Sequence, residues 1–173
     1  MRSSQLAKMT CTIARSVDVI GDPWTIMIMK ELFLGQRRFG DIQMYTGMSP
    51  HLLSVRMHLL SVRMKKLEKE GVVQRRAYQQ RPTRYEYRLT EKGIDLWPIL
   101  VAFKDWSARW GRWSNGEPLT IRHKACSHVT ALKVVCSYCD EPINARDVRQ
   151  EMSTAMVKER ARMAKQAKSA AHA

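Results

Sequence analysis

The block from Ser49 to Leu89 constrains this chain most. Ser49-Pro50 has the form of a helix N-cap followed by proline at the first helical position, where the missing N–H costs nothing. An apolar stripe of Leu53, Met57, Leu60, Met64 and Leu67 follows at helical spacing, and Gly71 closes it. That pattern predicts one long helix from Pro50 to about Glu70. Next come two strands, Val72–Gln79 and Arg84–Leu89, joined by Gln80-Arg81-Pro82-Thr83. In the second, Tyr85, Tyr87 and Leu89 alternate with Arg84, Glu86 and Arg88, the period of a half-buried strand.

The upstream sequence supplies the elements that such a helix and hairpin pack against. Cys11–Ile20 spaces Ile13, Val17 and Ile20 along one face of a short helix. Gly21-Asp22-Pro23 breaks it, and a second, nearly all-apolar helix through Leu34 is the expected buried centre, stopped by Gly35. A third short helix opens at Arg37-Arg38-Phe39 and ends near Thr46-Gly47. After the hairpin, Thr90 caps a helix expected to run through Trp113, with Leu96, Leu100, Phe103, Trp106 and Trp110 on one stripe. The order helix, helix, helix–turn–helix, hairpin, helix predicts a mainly α fold with a small β-hairpin wing, a winged helix-turn-helix. Residues 11–113 would form this DNA-binding and dimerisation domain, after an arm at 1–10. A small Cys/His extension at 114–149 and a basic tail at 150–173, helical or disordered, would follow.

Charge points the same way. The chain carries 30 Lys and Arg against 16 Asp and Glu, a net charge of +14, so an acidic partner is expected, nucleic acid before anionic membrane. Between Arg37 and Lys92 there are 13 basic and five acidic residues, spread over both the long helix and the hairpin. A solvated helix face alone would not require that. No stretch has the uncharged apolar length of a membrane span, and Met1–Thr10 lacks the apolar core of a signal peptide. The expectation is a cytoplasmic protein without a membrane partner, in which cysteines serve as metal ligands or sensors more often than as disulfides.

Several stretches together resemble the HxlR-type regulators: CTIARSVDVIGDPWT at 11–25, ELFLGQRRFGDI at 31–42, SPHLLS at 49–54, KKLEKEGVV at 65–73 and RYEYRLTEKGIDLWPIL at 84–100. The resemblance implies a transcriptional regulator that binds double-stranded DNA as a homodimer joined through the first and last helices of the domain. On such a domain, Ser49, Pro50, His51 and Ser54 lie in the first turns of the recognition helix, the part that reaches base edges. Arg56, Arg63, Lys65 and Lys66 suit phosphates, and Arg37 and Arg38 are expected among the DNA-binding residues. Arg81 at the hairpin tip suits a minor groove, with Arg84 and Arg88 flanking the backbone.

One feature departs from the family pattern. His51–Met57 reads HLLSVRM and His58–Met64 repeats it identically. Seven residues add ~10.5 Å of helix with only ~20° of phase drift. The repeat can therefore lengthen the helix, which the absence of any helix breaker favours, or loop out near Pro50.

His123-Lys-Ala-Cys126 and Cys136-Ser-Tyr-Cys139 share one spacing, and together offer three thiolates and an imidazole, a donor set suited to structural Zn²⁺. His128 is the alternative to His123, and a loop of free cysteines is the alternative to a metal site. Cys11 stands apart as a candidate redox sensor, since some HxlR-type proteins use a cysteine there. Met27, Met29, Met44 and Met48 could line a pocket for a small-molecule effector, although core packing explains them more simply. None of the five histidines lies beside a candidate nucleophile, and no phosphate-binding glycine loop is present, so no enzyme is expected. The competing reading is a zinc-stabilised RNA-binding or adaptor protein.

Overall fold

The computed structural model describes residues 3–47 and 53–170, giving the backbone alone for 3–4 and 53–57. It divides into two compact units: Asp22–Lys133, and a second made of the N-terminal 21 residues with Val134 onward. The elements in chain order are α1 (Ser3–Leu6), α2 (Thr12–Ile20), α3 (Pro23–Phe33), α4 (Phe39–Tyr45), α5 (Leu53–Lys69), β1 (Val73–Gln80), β2 (Thr83–Leu89), α6 (Glu91–Ile94), α7 (Trp97–Trp110), β3 (Ile121–Arg122), β4 (Val129–Thr130) and α8 (Thr154–Ala170).

Within the larger unit, α3 is the hub and packs against α4, α5, α7 and β2. Its start is fixed chemically. Asp22 Oδ1 accepts the N–H groups of Trp24 and Thr25, satisfying donors that no preceding turn can reach, while Pro23 needs no partner. Ile28 and Met29 are fully buried, as are Ile42 of α4, Leu60, Met64 and Leu67 of α5, and Val72 and Val73 at the entry to the hairpin. α5 ends at Gly71, whose positive φ of 68° lets the chain reverse into β1.

The hairpin is antiparallel, pairing Val73 with Leu89 at its base and Gln80 with Thr83 at its tip, and its register shifts between Ala77 and Gln79. A short third strand edge adds to it: Arg38 bridges Glu86, and Tyr87 donates its N–H to the Arg37 carbonyl at 2.8 Å. This bridge had no sequence signal, because a single pair is too short to show periodicity. The alternation expected in β2 is also weak. Tyr85 is exposed, since the hairpin projects beyond the core that buries its base.

The helix expected from Thr90 to Trp113 is two helices. Thr90 Oγ1 caps α6 by accepting the Gly93 N–H, and α7 starts afresh with Pro98 in its first turn. Proline cannot supply the N–H that a continuous helix would need there. Its stripe also faces differently from expectation: Trp106 is 67% and Trp110 70% exposed.

The second unit holds α1, α2 and α8. In it the Thr10 N–H reaches Glu159 Oε2 of α8 at 3.0 Å. Ile20 of α2 is buried, whereas Ile13 is 73% exposed, so its apolar face is covered only at the C-terminal end. The basic tail is helical over most of its length.

Candidate nucleic-acid interface

α4 and α5 are the two helices of the helix-turn-helix, and the hairpin follows α5 after three residues. Ser49, Pro50 and His51 lie outside the described residues. Ser54 and Arg56 fall on α5, where the backbone alone is described. α5 is unbroken from Leu53, inside the first heptad, through the whole of the second. The second copy makes the core contacts, with Leu60 and Met64 fully buried. The repeat therefore extends the helix, and the first copy continues it toward its N-terminus.

The cations sort into two groups. Arg63 is committed internally: its Nη2 lies 2.7 Å from Asp22 Oδ2, and its Nε is buried without a partner among the described residues. Expected as a phosphate contact, it ties α5 to the cap of α3. Arg88 pairs with Glu86 at 2.6 Å across one strand. Arg38 stacks over the Tyr78 ring at 5.1 Å, which fixes it beside β1. By contrast Arg37, Lys65, Arg81 and Arg84 are exposed.

Two arginines that the sequence reading passed over join this surface. Arg75 lies over the Tyr85 ring at 4.2 Å, and its Nε is 3.9 Å from Glu68 Oε1 of α5. Arg76 donates to Gln74 and is otherwise exposed. Their signal was the doublet in Gln74-Arg75-Arg76-Ala77, which alternation in β1 turns to opposite faces. Nearby, burial pushes the Tyr87 phenol above its ordinary value, with the Arg75 cation opposing.

The Cys/His segment folds into two turns of the same construction. In the larger unit, β3 and β4 flank the first: Ser127 N–H bonds to the His123 carbonyl at 2.8 Å, and Ser127 has φ 58°. His123 Nδ1 lies 3.3 Å from Cys126 Sγ. In the smaller unit, a Val135–Pro142 bridge flanks the second: Asp140 N–H bonds to the Cys136 carbonyl at 2.9 Å, with φ 57°. These are the two non-glycine residues at positive φ among those described. The N–H groups of Tyr138 and then Cys139 point at the Cys136 sulfur and hold its thiol below the ordinary value. Sulfur-directed amides in a knuckle of this kind favour thiolate, the form that binds metal. Among the described residues no three His, Cys, Asp or Glu side chains are grouped to hold a metal ion. Cys11 is a half-buried free thiol preceding α2.

Of the four methionines considered for an effector pocket, Met29 is core, Met44 is exposed and Met48 lies outside the described residues. Met27 lines a cavity between α3 and α7. No described helix is long and apolar enough to cross a membrane.

Comparison with known proteins places these features. The sequence model of the HxlR-like helix-turn-helix family matches residues 19–115. An HTH-type transcriptional regulator of Mycobacterium tuberculosis is 33% identical over 140 residues, covering 81% of this chain and 84% of that protein. One from Synechocystis is 34% identical over 101 residues, 58% of this chain and 70% of its own length. Among solved structures, PA1607, described as a transcription factor, is similar at TM-score 0.72 and 27% identity, covering 86% of this chain and 99% of that one. PA1374 of Pseudomonas aeruginosa, described likewise, is similar at 0.54 and 26% identity over 84% of this chain and 94% of that one. These relatives are transcription factors and regulators, not enzymes.

Proposed function

Because this chain belongs to the HxlR-like helix-turn-helix family of transcriptional regulators, we propose that it binds operator DNA in the cytoplasm as a homodimer. The observation that carries this is the separation of its cations. Arg63, on the body side of α5, is paired, while Lys65, Arg81 and Arg84 on the helix and hairpin are exposed. A cation that need not release a carboxylate is freer to meet a phosphate, and Arg88 would first have to leave Glu86.

In this reading Ser49, Pro50, His51 and Ser54 approach base edges from the front of the recognition helix. Arg56, Lys65 and Lys66 hold phosphates, with Arg37 and Arg38 beside them. Arg81 enters a minor groove while Arg84 and Arg88 flank it. The test is selection of bound fragments from the organism's own DNA. Recovery of fragments sharing two half-sites supports the reading. Enrichment of RNA, or of no sequence, would favour the adaptor reading instead.

The dimer is proposed through α2 and α7, the first and last helices of the winged-helix domain. α7 sets Ile99, Phe103, Trp106 and Trp110 at i, i+4, i+7 and i+11, and all four are exposed. Indole rings left this open on a helix are the usual chemistry of a protein interface.

The Cys/His segment is proposed to hold structural Zn²⁺ through His123, Cys126, Cys136 and Cys139, with His128 as the alternative to His123. The donor set fits, and the shared turn geometry supports it: each knuckle closes with a backbone bond from a left-handed residue four positions on, Ser127 in one and Asp140 in the other. Bound zinc would cross-link a segment with almost no buried apolar side chains. About one zinc per untagged chain is expected, with loss of ordered 121–142 structure on chelation; less than ~0.2 per chain would exclude the site. For Cys11 a redox role predicts that diamide releases the protein from DNA, and that Cys11→Ser stays bound.

A further inference from the structure

A cavity of about 660 Å³ opens between α3, α7 and the segment that follows α7, all within the larger unit. That volume lies in the range of small-molecule sites. Its walls are mainly apolar, aliphatic side chains interleaved with the rings of Phe33, Trp97, Phe103 and Trp113 around Met27. Of Ile99, Phe103, Trp106 and Trp110 on the exposed row of α7, Phe103 alone lines the cavity. Trp97, Val101 and Lys104 line it at i, i+4 and i+7, two residues out of step with Ile99, Phe103 and Trp106, which places the two rows on opposite sides of the helix. Phe103 stands at the margin between them.

The wall supplied by residues 113–121 is pinned to α7. Trp113 Nε1 donates to the Ser107 carbonyl at 3.1 Å, Lys104 Nζ is 2.5 Å from Glu117 Oε1, and the Leu132 N–H donates to Asp105 Oδ2 at 2.7 Å. The hydrogen bond to Glu117 raises the Lys104 ammonium above its ordinary value. Burial pushes the Asp105 carboxyl up, but the Leu132 N–H and Lys104 outweigh it and hold it below its usual value. These contacts hold one wall of an open cavity in place, and that wall includes Leu119, Thr120 and Ile121 from beyond the span of the family match.

The polar groups define what could enter. Both lysines on the lining already face carboxylates: Lys30 lies 2.5 Å from Glu31, and Lys104 contacts Asp105 and Glu117. An anion would have to displace those partners, and a cation would meet two ammonium groups inside an apolar wall. A neutral molecule meets neither cost, and can accept a hydrogen bond from an ammonium N–H or the Ser107 hydroxyl. We propose that this cavity is a binding site for a neutral, mainly aromatic small molecule carrying a hydrogen-bond-accepting oxygen.

The test goes beyond the operator reading and uses no DNA, so its failure and the failure of DNA binding are separate results. The full chain is titrated by calorimetry with 1-naphthol, 1-naphthoate and 1-naphthylmethylammonium, which share one ring system and differ in charge. Expected is saturable binding of one naphthol per chain, about ten-fold or more tighter than either charged probe. Ser107→Trp and Thr120→Trp, which fill the cavity from opposite walls, should each weaken naphthol about ten-fold. Far-UV circular dichroism checks that each is folded, and either folded variant suffices. Equal affinity for the three probes, no saturable binding, or undiminished binding in a folded filled variant overturns the proposal. So does loss of binding in Trp106→Ala alone, which would move the probe to the outer face of α7.

Discussion

Asp22 uses one carboxylate for two purposes. Its Oδ1 caps α3 and its Oδ2 holds Arg63 of α5, 41 residues away. Asp22→Ala should therefore cost more than the about 1 kcal/mol of a lost cap, because the half-buried Arg63 guanidinium loses its counter-charge. Asp22→Asn keeps the cap and should lose less, an ordering that thermal denaturation would read directly. Gly93 makes a second local demand: a Cβ there would lie 2.2 Å from the Val72 carbonyl oxygen. Gly93→Ala is expected to destabilise by about 1–3 kcal/mol, measured by denaturant unfolding. On the DNA side, Arg81→Ala should lower the slope of log affinity against log salt by ~1, since one cation is withdrawn from the duplex. The cap at Asp22-Pro23 was legible in the sequence because capping is local. Arg63 was not, because nothing within a few residues of it distinguishes a phosphate ligand from half of a distant ion pair.

At the scale of elements, the tandem heptad sets the length of α5. Deleting residues 51–57 or 58–64 yields the same sequence, so the remaining copy must occupy whichever position the core demands. The second copy supplies Leu60, Met64 and Arg63 to that core, and a single copy can supply the same three side chains. The deletion should leave the melting temperature nearly unchanged while shortening the recognition helix by ~10.5 Å and altering operator affinity. A large fall in melting temperature would show that the first copy also carries stability. Most element positions were legible in the sequence, because their periods and stops are strong. The break between α6 and α7 was also signalled by Pro98, but the apolar stripe running across it suggested continuity. The stripe itself misled about burial. Periodicity reports that a face is apolar, and it does not say whether this chain or another covers it.

For the molecule as a whole, that distinction becomes a prediction. Trp106→Asp should convert the protein to monomers in sedimentation equilibrium and reduce operator affinity, because two half-sites bound together gain from their linkage. A variant that stays dimeric would place the interface elsewhere. The divergence between the two compact units and the expected boundary near residue 114 has a physical source. Glu117 and Leu132 are bonded to α7, so the first knuckle belongs with the winged helix and the second with the terminal segments. Such long-range bonds leave no mark in composition or spacing.

The central claim is sequence-specific operator binding. The most direct measurement is the affinity of the purified protein for a selected genomic site against a shuffled duplex of equal length, at ~150 mM salt. The account predicts a preference of about a thousand-fold or more. Equal affinity for the two duplexes would contradict it.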